Sequence, residues 1–235
     1  MHYVMNKKVI ERKITPLYPM RINKYLALKK ITTRRGADEL VKEKKVFING
    51  KLAILGSKVL EKDVVEIKGA ETKKYLYFAY NKPIGIETDS PREDLFPLGR
   101  LDKASHGLLI LTNDGRITDA LLNPKYFHEK EYIVRTLNKL RSSFKQKMGS
   151  GVNIEGYMTK KCKVKILNEF SFRVTLTEGK KHQIRRMCSA LFQEVADLKR
   201  ERIMNIKLGN LKPNAMREIK DEELAIFLNQ VLHQS

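Results

Sequence analysis

The chain has 235 residues, 42% of them hydrophobic, and carries 47 lysines and arginines against 27 aspartates and glutamates, a formal charge of +20. Enough apolar residues to bury a core exclude a disordered chain, and the charge favours a polyanion, since each neutralised phosphate releases counterions. Two distant cysteines, Cys162 and Cys188, exclude a disulfide framework or a zinc-ligand spacing, and no apolar run is long enough for a transmembrane helix. Nucleic acid is therefore the expected partner, with an acidic membrane surface second, and no metal is expected. The basic N-terminus lacks the apolar core of a secretory signal, which points to the cytoplasm.

Residues 1–19 are polar and basic, punctuated by Pro16 and Pro19, and read as an extension before the first folded unit. Residues 20–68 form that unit. Ile22, Tyr25 and Leu26 mark one helical face, Ala37, Leu40 and Val41 a second, and Thr33 stands where the second helix needs a cap. In VFINGKLAI, Asn49-Gly50 between two short apolar runs predicts a type I′ hairpin, and DVVEI supplies a further strand. The unit holds thirteen Lys/Arg against six Asp/Glu. Lys24, Lys29, Lys30, Arg34 and Arg35 gather around the first helix and the start of the second. The helix-helix-hairpin order, with RINKYLA and TRRGADELV, resembles the S4 RNA-binding domain, which makes those five residues the expected RNA contacts.

GAETKKY (69–75) reads as a linker, and 76–232 as a second domain. There YLYFAYNKP predicts a strand ended by Pro83, and GLLILT a short buried strand. RITDALLNP has helical spacing and stops before Pro124. KEYIVRT and KKCKVKIL predict strands. FSFRVTLTEG alternates Phe172, Val174 and Leu176 on one face. KKHQIRRMCSALF carries a stripe of Ile184, Met187, Cys188 and Leu191, so Cys188 belongs to the core. The mixture predicts an α+β fold on a mixed, largely antiparallel sheet.

The chemistry concentrates at GRLDKASHGLLILTNDG (99–115), where Asp102 lies between Arg100 and Lys103 just before a buried strand. Positive neighbours favour the carboxylate over the acid, which suits a nucleophile or a base. A hydrolase of the glycosidase kind would want a second positioned carboxylate, and a methyltransferase a Gly-rich turn after a strand; neither is visible.

Three stretches together, NKPIG (81–85), the long motif around Asp102 and GKKHQIRRMC (179–188), resemble the RsuA/RluF-type ribosomal pseudouridine synthases. HEKEY (128–132) matches the segment bearing that family's active-site tyrosine. GVNIEGYMTKKCKVK and RERIMNIKL look most like its F-type large-subunit branch. With the S4-like unit in front, the resemblance covers residues 20 to about 228. It implies isomerisation of a uridine to pseudouridine in structured RNA, 23S ribosomal RNA first and tRNA as an open second substrate, by a monomer without cofactor or metal. Asp102 aligns with the catalytic aspartate, which attacks the ribose C1′ or assists removal of the C2′ proton; the sequence does not choose. Tyr132 matches the tyrosine stacked on the target base, and Arg185 the arginine that pairs with the aspartate. Ile184 stands where an apolar residue packs on uracil, and Arg100 where a residue fills the gap left by the flipped base. Lys82 and Arg186 complete the expected substrate contacts. The alternative, an S4-type RNA-binding protein that has lost catalysis, predicts loss of Asp102, Tyr132 or Arg185, and all three are present.

Overall fold

The computed structural model describes residues 18–29, 31–69 and 74–232, in two compact units that divide near residue 72. Most of the N-terminal extension, Lys30 and the middle of the expected linker lie outside the described residues.

In the first unit the chain runs through β1 (Met20–Arg21), α1 (Ile22–Leu28), α2 (Arg34–Lys42), β2 (Val46–Ile48), β3 (Lys51–Leu52), β4 (Lys58–Val59) and β5 (Val65–Ile67). Strand β1 pairs with β4, and a three-stranded sheet has the order β3-β2-β5. The predicted faces of the two helices meet in a core of Ile22, Leu26, Ala37, Val41, Val46, Ala53 and Val59. Thr33 caps α2, its hydroxyl accepting the Gly36 N–H at 3.0 Å. Asn49 and Gly50 take φ of 50° and 75°, the left-handed pair that a type I′ turn demands.

The second unit contains β6 (Tyr77–Lys82), β7 (Phe96–Leu98), β8 (His106–Thr112), α3 (Thr118–Leu122), β9 (Lys130–Thr136), α4 (Phe144–Gly149), β10 (Asn153–Ile154) and β11 (Tyr157–Met158). It continues with β12 (Lys163–Asn168), β13 (Ser171–Leu176), α5 (Gln183–Ala190), β14 (Val195–Ile203), β15 (Ile206–Lys207), β16 (Met216–Glu218) and α6 (Asp221–Leu232). One sheet has the order β12-β13-β9-β14-β8-β6-β16, with β15 beside β14 and β7 beside β8. Every pairing in it is antiparallel except β8 with β14. Strand β8 is a continuous apolar run because both of its faces are covered. Leu108 and Ile110 join a core with Ile203, Ile206 and Phe227 of α6, while Leu109 and Leu111 pack with Tyr80, Leu95 and Leu101. A further core, with Cys188 fully buried in it, joins β9, β13 and the two helices α4 and α5. Among the described residues, no helix is long and apolar enough to cross a membrane.

The parallel seam joins two antiparallel halves through Lys199 opposite His106 and Arg200 opposite Gly107. Gly107 is obligatory here: its φ is +103°, and an added Cβ would fall 2.3 Å from the Arg200 carbonyl oxygen. Backbone strain and overpacking act together, so Gly107→Ala is expected to lower stability by at least about 3 kcal/mol in equilibrium urea unfolding. A variant within about 0.5 kcal/mol of wild type would show that the seam yields freely.

Two features depart from the rule that charged residues stay in solvent. In the Asn-Asp-Gly stretch after β8, Asp114 is fully buried. It accepts a hydrogen bond from the Tyr77 hydroxyl at 2.5 Å and two from the Arg116 guanidinium at 2.8 Å, and caps a short 3₁₀ turn over Gly115–Ile117. Burial opposes its charge, but those donors outweigh burial and hold the carboxyl below its ordinary value. The other departure is β14, a central strand whose sequence VADLKRERI is mostly polar. Its charges are matched across neighbouring strands: Asp197 with His106, Arg202 with Glu129 and Glu131, and Glu201 with Arg173.

Candidate active site

Asp102 lies in the loop that joins β7 to β8, and NKPIGIET braces that loop from behind. The Thr88 hydroxyl accepts the Leu101 N–H at 2.9 Å and donates to the Leu101 carbonyl at 2.7 Å. The Gly85 N–H donates to the Lys103 carbonyl at 2.8 Å, and the Ser105 N–H closes a turn onto the Asp102 carbonyl at 2.9 Å. Lys82, expected among the substrate contacts, is instead fully buried. Its ammonium donates to the Pro83 and Ile86 carbonyls at 3.0 and 2.6 Å, fastening the brace from within. Burial pushes its pKa down, and the charge of Asp102 works the other way. A lysine so enclosed supports the loop and does not reach RNA.

The Asp102 carboxylate opens into a cleft of about 780 Å³, shared with Arg100, Lys130, Tyr132, His182, Ile184 and Arg200. Tyr132 stands on β9 with its ring 6.0 Å from the guanidinium of Arg200, which reaches across from β14. Arg200 is nearly fully buried, and its Nε donates to the Leu108 carbonyl at 2.7 Å. Ile184 is buried in the first turn of α5. Arg100 is exposed at the rim.

Arg185 is placed differently from the expectation. Its guanidinium donates to the Ala104 carbonyl at 2.8 Å, to the Ser105 hydroxyl at 3.4 Å and to the Val195 carbonyl at 3.3 Å. It clasps the loop that carries Asp102, while the carboxylate itself meets His182, whose Nε2 lies 3.1 Å from Oδ1. The reason is local backbone geometry: His182 has a left-handed φ of 53° immediately before α5. Arg186 also lies apart from the cleft, held by Glu155 at 2.7 Å and by the Ile154 carbonyl at 3.3 Å.

Glu178 fixes this corner. It is buried and accepts from the Tyr157 hydroxyl at 2.6 Å, the Lys160 N–H at 2.9 Å and Gln183 Nε2 at 2.8 Å. Burial raises its pKa, and the donors more than reverse that, so it stays below the usual carboxylate range. Sequence reasoning missed Glu178, Lys130 and Arg200. The only sign of Lys130 was its place two residues before Tyr132, which in a strand puts both side chains on one face.

The Lys130 ammonium has no hydrogen-bond partner among the described residues, although the residue itself is paired in β9 with Leu176 and Ile203. Burial, with the charge of Arg200 added, lowers its pKa to about 8. The ammonium is therefore present at pH 7 and lost as pH rises through about 8. The expected result is a kcat/KM for RNA that falls between pH 7 and 9 with an inflection near 8. In Lys130→Arg, which keeps its charge, that inflection should vanish. An inflection unmoved in the arginine variant would assign the titration to another group.

Known proteins resemble this chain over most of its length. The profile of the RNA pseudouridylate synthase family matches residues 76–190, and that of the S4 domain residues 20–65. A dual-specificity RNA pseudouridine synthase, RluF, from Salmonella typhi is 41% identical over 222 residues, covering 87% of this chain and 77% of that protein. The ribosomal large subunit pseudouridine synthase B of Bacillus subtilis is 33% identical, over 87% of this chain and 93% of its own length. Among solved structures, a pseudouridylate synthase crystal structure superposes with a TM-score of 0.66 at 27% identity, over 88% of this chain and 98% of that one. The chain belongs to the RNA pseudouridine synthase family, enzymes that isomerise uridine to pseudouridine within RNA, and carries an S4 domain ahead of its catalytic fold.

Proposed function

We propose that this enzyme modifies a specific uridine of 23S ribosomal RNA in the cytoplasm, with tRNA as the second substrate to test. The B. subtilis relative named for the large ribosomal subunit and the dual specificity in the name of the S. typhi relative support that order. The observation that carries the site assignment is the convergence of Asp102, Tyr132, Ile184 and Arg100 on one cleft.

In this reading a uridine leaves its stack and enters the cleft, and Arg100 at the rim fills the vacated space. Tyr132 and Ile184 sandwich the uracil. Asp102 attacks C1′ to form an ester as the N1–C1′ bond breaks, and leaves again when C5 of the turned base bonds to C1′; on the other route it takes the C2′ proton as the N1–C1′ bond breaks, and returns it to C2′ when C5 bonds to C1′. The proton on C5 leaves by way of the Tyr132 hydroxyl as candidate relay, and N1 ends protonated, so the proton count is unchanged. No redox step or cofactor is needed. Arg185 supports the carboxylate through the 104–105 backbone, and Arg186 acts as a brace on Glu155. Carbodiimide mapping of pseudouridine in total RNA, from cells with and without the gene, tests the assignment. One 23S position that loses its signal is expected, and an unchanged 23S map would overturn it.

Residues 20–68 serve as the docking part, with 76–232 as the catalytic part. Lys24, Lys29, Arg34 and Arg35 are all exposed. Replacing Lys29, Lys30, Arg34 and Arg35 by neutral residues is expected to raise KM more than it lowers kcat, because such interactions are common to ground and transition states. The salt dependence of binding should flatten by roughly 0.7–0.9 log units of slope for each phosphate left unneutralised. An unchanged slope in a filter-binding salt series would remove this face from RNA docking.

A further inference from the structure

Beside the cleft stands an exposed aromatic that the mechanism above does not use. After α3 the chain makes a 3₁₀ turn over Pro124–Tyr126, and Phe127 follows with φ of 56°. A bulky residue rarely adopts that left-handed conformation, and strain of this kind persists only where the surroundings impose it. The surroundings do so here. Asn123 caps the turn by accepting the Lys125 N–H at 3.2 Å, and buried His128 anchors the far side, its Nε2 lying 2.9 Å from the Ala120 carbonyl. The result is a phenyl ring left 59% exposed on a tethered loop.

One face of that ring is already occupied. The Lys160 ammonium lies 4.0 Å from its centroid and donates to the Pro124 carbonyl at 3.2 Å. A second ammonium, on Lys125, sits 4.5 Å from the Tyr126 ring. Short links tie this group to the active site. The Lys160 N–H donates to Glu178 of the cleft wall, and Leu122, five residues before Phe127, lines the cleft and packs against Gly99.

We propose that Phe127, Lys160 and Lys125 form a docking platform for one unpaired nucleobase of the RNA, next to the flipped uridine in sequence. The open face of Phe127 stacks on the base, and the two ammonium groups lie against the neighbouring phosphates. An aromatic face with flanking cations is what single-stranded RNA selects, since every base has a π face and every linkage a charge. An exposed phenyl ring under a cation also gains little for the fold itself, which leaves its open face available to a ligand. The platform would set which sequence context the enzyme accepts. This inference rests on the reading that structured rRNA enters the cleft.

The test is steady-state kinetics on an rRNA fragment that wild-type enzyme converts, which secures that reading independently. Phe127→Ala is expected to raise KM by roughly five- to a hundredfold, the range for removal of one base–aromatic stack, with kcat retained. Phe127→Trp should stay near wild type. Phe170→Ala, at an exposed ring in the β12–β13 turn, is the control expected to change nothing. Abasic riboses placed in turn at the three nucleotides on either side of the target locate the partner. At one position wild-type KM should rise to the Phe127→Ala value, and the variant should rise no further. A Phe127→Ala KM equal to wild type would overturn the proposal, as would additive effects at every abasic position.

Discussion

Asp102→Asn is expected to abolish pseudouridine formation, by on the order of 10⁴-fold or more, while leaving the fold and RNA binding intact. The side chain keeps its size, and its loop is held by hydrogen bonds to the loop backbone from the Gly85 N–H and the Thr88 hydroxyl, and by the Ser105 turn, none of which involves the carboxylate. Only chemistry that needs a negative oxygen should fail. A tritium-release assay on uridine labelled at C5, beside filter binding, separates the two outcomes. Release above a trace with unchanged affinity would take Asp102 out of its role on either route, attack at C1′ or proton removal at C2′.

The second large effect is expected at Arg185. Its guanidinium ties α5 to the Ala104 and Val195 carbonyls, so the same fork that orders the loop also sets the position of Asp102. Hydrogen bonds from a charged group contribute about 1.5–3 kcal/mol each, so Arg185→Ala should lose roughly ten- to a hundredfold in kcat or more. Lysine offers a point charge in place of a planar fork and should recover only part of that rate. Single-turnover rates make the comparison. Equal rates for the lysine and arginine enzymes would mean that the fork geometry is unimportant.

The long motif around Asp102 and the helix-helix-hairpin unit were both legible in the sequence, and for physical reasons. A hairpin that needs two left-handed residues shows itself as Asn-Gly, and a helix cap as a threonine before the apolar stripe. Strand β14 was harder to see, because a strand whose charges are answered by neighbouring strands has no apolar signature of its own. Arg200 escaped for the same reason, although it is among the most buried charged residues and bridges Tyr132 to the Leu108 carbonyl. The pairing of His182 with Asp102 depends on one left-handed backbone angle, which no residue pattern announces at a histidine. Lys82 looked like a ligand contact because it is a lysine within a motif. Its confinement beneath Pro83 and Ile86 follows from loop geometry.

The parallel seam has a mechanical consequence. The antiparallel ladders on either side run over six residue pairs between β6 and β8 and seven between β9 and β14, whereas only two pairs join β8 to β14. Stiffness across a sheet follows its ladders, and this two-pair join is the shortest along the strand order from β12 to β16, with Asp102 and Tyr132 on opposite banks of it. Besides the apolar core shared by Leu108, Ile110, Ile203 and Ile206, side-chain staples span the line: Arg200 to the Leu108 carbonyl, His106 to Asp197 at 3.0 Å, and Arg185 to the Ala104 and Val195 carbonyls. The gap between the Asp102 carboxylate and the Tyr132 ring is thus set by these side-chain contacts more than by backbone pairing, and tuning one of them changes how far the enzyme can yield to an incoming base.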